Sequence, residues 1–147
     1  MKILSWLVAV AVASAPAANA QIAVIVNPKL AINELSFDDV RRIFAGKTAQ
    51  LANTALVVGF EASAAEKFST AVLGVSASAI HKRWVLLAFQ GEVSTVLRDL
   101  PDADAARKFV ANTTGGIAFI PASEVNATVK VLRIDGALPS DPAYKVK

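Results

Sequence analysis

The chain has 147 residues, 54% of them hydrophobic, with a mean hydropathy of +0.49 and a formal net charge of +3. It contains no Cys and a single His, His81, which excludes thiol catalysis, disulfides and a His-rich zinc site. So small a charge, with no run of Lys or Arg, argues against a nucleic-acid partner.

The first stretch, MKILSWLVAVAVASAPAANA, has an early Lys2, an apolar run from Ile3 to Ala13 and small residues at Ala18-Asn19-Ala20. This is the pattern of a secretory signal peptide cut after Ala20. The apolar run is shorter than the roughly 20 residues that a membrane-spanning helix needs. Residues 1–20 are therefore expected to be removed, leaving residues 21–147 as one domain. No later segment is long and apolar enough to span, and no Cys stands near residue 20 to carry a lipid. A bacterial periplasm is the expected compartment.

QIAVIVNP, a short β-branched apolar run ended by Asn27-Pro28, predicts a buried strand. LSFDDVRRIFAGK then carries the signals of a complete helix. Ser36 and Asp39 have capping-box spacing, Leu35 and Val40 the spacing of a hydrophobic staple, and Gly46 is a natural stop. Phe37, Val40, Ile43 and Phe44 share one face, with Asp38, Arg41 and Arg42 off it. TALVVGF predicts a second strand. SAAEKFSTAVLG predicts a helix capped by Ser63, boxed by Glu66 and stopped by Gly74.

SASAIHKRWVLLAFQG predicts a third helix, with Ile80, Trp84, Leu87 and Ala88 as its apolar side and Gly91 as its end. EVSTVLRDLP is ambiguous. A fourth helix is predicted from Asp102 or Asp104 to the region of Asn112–Gly115, followed by strands at GIAFIP and TVKVLRIDG. The tail ALPSDPAYKVK, with two prolines, is expected to be extended and exposed. Alternation of strands and helices predicts an α/β sheet with helices packed on it.

Familiar catalytic sets are missing. His81 has no motif around it, and the pairs Asp38/Asp39 and Asp102/Asp104 stand where helix starts favour carboxylates. No enzyme activity and no cofactor or metal is expected. NTT at Asn112 and NAT at Asn126 fit a glycosylation acceptor, a motif short enough to recur by chance. Candidate anion contacts are the helix starts at Ser36 and Ser63 and the turn Thr113, Thr114, Gly115 and Gly116, where backbone N–H groups can converge. The Gly pair also reads as a helix end that lets two backbones approach.

Taken in order, LSFDDVRRIFAGK, FSTAVLG, RWVLLAFQG, VANTTGGIAFIP and VKVLRIDG resemble the phosphate-binding proteins of bacterial phosphate ABC transporters, over most of Leu35 to Gly136. The resemblance implies a three-layer α/β lobe of the type II periplasmic binding protein fold. It also implies a solute-binding role, with phosphate or another small anion as ligand and an ABC permease as a possible partner. Full-length members of that family have two lobes, and this chain has room for about one. The family's site uses an Arg and a Ser-Gly-Thr at the helix start after the VV strand. Here that place reads VVGFEASAAEKF, with Phe60 and Glu61 near the Arg position and Ser63 the remaining donor. Glu61 there would repel phosphate. The alternative is a non-transport module that has lost the phosphate site and docks another envelope protein.

Overall fold

The computed structural model describes residues 21–147; the expected signal peptide lies outside the described residues. The chain runs β1 (Ile22–Val26), β2 (Glu34–Leu35), α1 (Phe37–Phe44), β3 (Gln50–Leu51), β4 (Thr54–Ala55), β5 (Val57–Glu61) and α2 (Ala65–Phe68). A π-helical turn, Ser69–Leu73, continues α2. There follow α3 (Ala77–Phe89), β6 (Arg98–Leu100), α4 (Ala103–Asn112), β7 (Gly116–Pro121), β8 (Lys130–Val131) and β9 (Arg133–Ile134).

Five strands form the main sheet in the order β6-β5-β7-β1-β8. β5 runs parallel to β6 and β7, whereas β1 is antiparallel to β7 and β8. Side-chain alternation divides the core into two layers. Ile22, Val24 and Val26 of β1, with Ile117 and Phe119 of β7, pack on one face beside Val40, Phe44, Phe68, Ile80 and Trp84. Ala23, Ile25, Ala118 and Ile120 pack on the other beside Ala106 and Val110 of α4. The fold is therefore a three-layer α/β lobe, with α1, α2 and α3 on one face and α4 on the other. Phe44, Phe60, Phe68 and Phe119 form the aromatic centre of the first layer, with Phe68 stacked on Phe119 at 4.0 Å between centroids.

The capping box of α1 is formed as predicted: Asp39 N–H donates to Ser36 Oγ at 3.0 Å, and Ser36 N–H to Asp39 Oδ2 at 3.4 Å. The stops at Gly46, Gly74 and Gly91 take left-handed φ values of 78°, 70° and 73°. Four predictions need correction. The helix start after β5 is Ala64, which has no side-chain cap; Ser63 is turned toward Glu61 instead. Glu66 forms no box with Ser63 and caps the next helix, accepting from Ala77 N–H at 3.1 Å. TVKVLRIDG divides into β8 on the main sheet and β9, which pairs with β2.

The tail is not uniformly exposed. Tyr144 and Val146 are buried, and Tyr144 Oη donates to the carbonyl of Ile22 at 2.5 Å. The prolines keep it out of helix and sheet, and an aromatic and a β-branched residue still find the core.

Candidate functional site

Open α/β sheets place ligands at the carboxyl ends of their parallel strands. Here that edge holds Glu61, which ends β5, and the turn into α2. The Glu61 side chain is fully buried, and its carboxylate is filled by neighbouring donors. Ser63 N–H donates to Oε1 at 3.0 Å, Ser63 Oγ–H to Oε2 at 2.8 Å and Ala64 N–H to Oε2 at 3.0 Å. The backbone groups and hydroxyl that could receive an anion at this helix start are thus held by the chain's own anion.

The other helix starts repeat the arrangement. At α1, Asp39 holds Ser36 N–H, and Asp135 accepts from Phe37 N–H at 3.1 Å. Lys145, paired with Asp135 at 2.7 Å, and the Phe37 N–H hold the Asp135 carboxyl below the usual carboxylate range. At α3, Ser76 caps and Glu66 accepts from Ala77. At α4, Asp102 Oδ1 accepts from Ala105 N–H at 2.8 Å. Each of the α-helices in the described residues begins on an internal carboxylate.

The glycine turn stands elsewhere. Val57 at the start of β5 pairs with Gly116, and Val57 N–H donates to the Gly115 carbonyl at 2.9 Å. Ser63 lies beyond the far end of β5, so at about 3.3 Å per residue it is roughly 15–20 Å from Gly116. A Cβ on Gly115 would fall 1.9 Å from the Ala55 carbonyl oxygen. Close backbone approach accounts for that glycine. The structure therefore does not bring Ser63 together with Thr113, Thr114, Gly115 and Gly116.

Beside Glu61, a small cavity of about 280 Å³ is lined by Phe60, Ala62, Ala65, His81, Asp99 and Pro101, among others. His81 Nδ1 donates to the Ala77 carbonyl at 2.8 Å, and Nε2 meets Asp99 Oδ1 at 2.5 Å. Both partners are acceptors, so the imidazolium satisfies both bonds at once. Partial burial by itself would lower the His81 pKa; the Ala77 carbonyl and the Asp99 carboxylate outweigh it and the net shift is upward. The Ser63 hydroxyl, a possible nucleophile, is bonded to Glu61 and not to His81. No group of three or more metal-ligating side chains occurs among the described residues.

Sequence reasoning missed three features. Asn27, read as a strand terminator, donates from Nδ2 to the carbonyls of Val110 and Ala111, both at 3.0 Å, and so closes the end of α4. His81–Asp99 joins α3 to β6, a pairing across 18 residues with no local signature. Finally, α1 and α3 enclose a groove of about 680 Å³ lined by Arg41, Arg42, Lys47, Lys82 and Arg83. Its one visible sign in the sequence is that Arg41, Arg42, Lys82 and Arg83 lie off the apolar faces of their helices.

No protein-family model matches the chain, and no curated protein sequence matches it. Solved structures do share its fold. A phosphate ABC transporter substrate-binding protein, so described, from Clostridium perfringens with bound phosphate superposes with a TM-score of 0.65 at 17% identity, over 81% of this chain and 46% of that one. PstS from Borrelia burgdorferi gives 0.60 at 11% identity, over 82% and 49%. An ABC-type phosphate transport receptor from Vibrio cholerae gives 0.57 at 16% identity, over 82% and 48%. The lobe thus has the fold of phosphate-transport receptors and spans about half the length of each.

Proposed function

We propose that this chain is an exported, periplasmic lobe of the solute-binding-protein type that acts by docking a protein of the cell envelope, and does not hold phosphate by itself. One observation carries the reading: the buried Glu61 carboxylate occupies the donors at the start of α2. A phosphate entering there would meet a like charge, and its oxygens would find the N–H groups of Ser63 and Ala64 already engaged. The fold shared with phosphate receptors supports descent from a binding role and an ABC permease as one natural partner.

Titration calorimetry and thermal unfolding with phosphate test the reading. A ligand at 100 times its Kd stabilises a protein by about 2.7 kcal/mol. No heat and no change in Tm up to millimolar phosphate are expected, together with a stoichiometric envelope protein co-purifying from periplasmic extract. A saturable phosphate-dependent rise in Tm would overturn it.

A second reading is favoured by the coverage of the solved receptors, each about twice as long as the matched lobe. Here a second copy, or another chain, supplies the opposite wall of an anion cleft. It predicts that phosphate drives association of the lobe, measurable by sedimentation with and without the anion.

A further inference from the structure

The groove between α1 and α3 lies away from the Glu61 turn. Leu73 and Val75, at the far end of the α2 and π-helical segment, help to line it, whereas Glu61 stands at that segment's beginning. Its walls carry Arg41, Arg42, Lys47, Lys82 and Arg83 against one carboxylate, Asp38. Asp38 is already bonded to Arg42 at 2.9 Å. Arg41, Lys47, Lys82 and Arg83 have no ion pair among the described residues. Like charges gathered in one recess repel each other, and an anionic partner relieves that repulsion.

The recess is also apolar in part. Val75 and Leu86 line it while 41% and 54% exposed, and on the same helix as Leu86 stand Val85, 62% exposed, and Phe89, 92% exposed. Among the 13 residues of α3, only Ile80 and Trp84 are buried, so most of this helix faces outward. A free inorganic anion has no use for the apolar part. A bilayer surface is too flat to enter a recess whose cations line its walls. A polypeptide segment that alternates carboxylates with apolar side chains matches both features.

We propose that the α1–α3 groove is the docking site for an acidic, amphipathic segment of a partner protein. This rests on the docking reading above and names the surface and the partner's chemistry. Carboxylates of that segment pair with Arg41, Lys47, Lys82 and Arg83, and its apolar side chains cover Val75 and Leu86. Because the pairs are rim-exposed, they set salt dependence and orientation, while the apolar contacts supply the burial.

The test is an amide NMR titration of the purified protein with a synthetic amphipathic helical peptide carrying Glu on one face and Leu on the other, with a Lys-for-Glu version as control. Expected are shifts confined to Arg41–Lys47 and Val75–Leu86, weakening about tenfold between roughly 0.1 and 0.5 M salt. The double variant Arg41→Glu/Lys82→Glu should lose binding by about tenfold or more, whereas Lys29→Glu, an exposed change elsewhere, should not. All three positions are exposed, so folding is expected to persist. Absence of shifts, shifts mapping elsewhere, or indifference to the double variant would overturn the proposal. So would binding to anionic phosphatidylglycerol vesicles without binding of the peptide. If the protein ignores phosphate and keeps its envelope partner while the double variant binds that partner unchanged, this groove is excluded and the docking reading stands.

Discussion

The indole Nε1–H of Trp84 donates to the carbonyl of Phe44 at 2.8 Å, joining the middle of α3 to the last residue of α1. Both side chains are buried. The bond satisfies a carbonyl at a helix end, where no intrahelical donor remains. It also sets the spacing of the two helices that wall the basic groove. Trp84→Phe is expected to lower stability by about 1–3 kcal/mol by leaving that carbonyl unpaired. Trp84→Ala adds a cavity and should cost about 3–5 kcal/mol. Urea unfolding followed by circular dichroism measures both, and no loss of stability in Trp84→Phe would mean that the hydrogen bond contributes nothing.

Glu61 accepts three hydrogen bonds from Ser63 and Ala64 without exposure to water. Glu61→Gln leaves one end of the side chain a donor facing donors. A loss of about 1–3 kcal/mol is expected. The same variant removes the internal negative charge, so a small gain in Tm with added phosphate or sulfate is expected for Glu61→Gln and none for the parent chain. Identical anion responses in the two proteins would show that Glu61 does not guard these donors.

The His81–Asp99 pair makes stability depend on pH. The folded pKa of His81 lies above its ordinary value of 6.5. Its contribution is therefore complete below 6.5 and fades as pH rises through the higher folded value. Asp135 works in the opposite direction. Its folded pKa is below the ordinary 3.8, so its pairing helps above 3.8 and is lost as pH falls through the lower folded value. Urea midpoints should be higher at pH 6 than at pH 8, and His81→Gln should flatten that difference. An unchanged slope in His81→Gln would place the neutral-range dependence on another group.

Ser69 is fully buried in the π-helical turn, and its Oγ has no hydrogen-bond partner. A buried hydroxyl without a partner opposes folding. Ser69→Ala should be neutral or stabilising by up to about 1 kcal/mol. A loss of stability in chemical denaturation would reveal a bond that the hydroxyl makes in solution.

The layers of the fold are legible in the sequence because their signals are local. Ser36, Asp39 and Gly46 lie within a dozen residues, and the alternation in IAVIV and GIAFIP assigns each side chain to a face. The helix after β5 reads less well. Ser63 has the composition of a cap, but the Glu61 carboxylate two residues earlier outcompetes the helix for its hydroxyl. A charged acceptor makes the stronger bond. The tail misleads for another reason: Pro139 and Pro142 mark irregular backbone correctly, yet irregular backbone can still deliver Tyr144 to the core. Of the candidate site, the sequence shows the altered motif at Glu61. It does not show that Glu61 turns inward, nor that cations 40 residues apart on α1 and α3 share one recess, because both depend on long-range packing.

One feature of the tail reaches beyond stability. Ile22 N–H donates to the carbonyl of Val146 at 3.1 Å, and Tyr144 reaches the same strand. The stretches around Ile22 and Val146, distant in sequence, therefore lie side by side. An engineered chain that links residue 147 to residue 21 through a short flexible linker and begins at an exposed turn, such as the one carrying Ala52 and Asn53, is expected to keep the fold. The same closeness lets the whole lobe be spliced into a surface loop of a host protein with little strain on the host. Its basic groove would then be displayed on the host's surface.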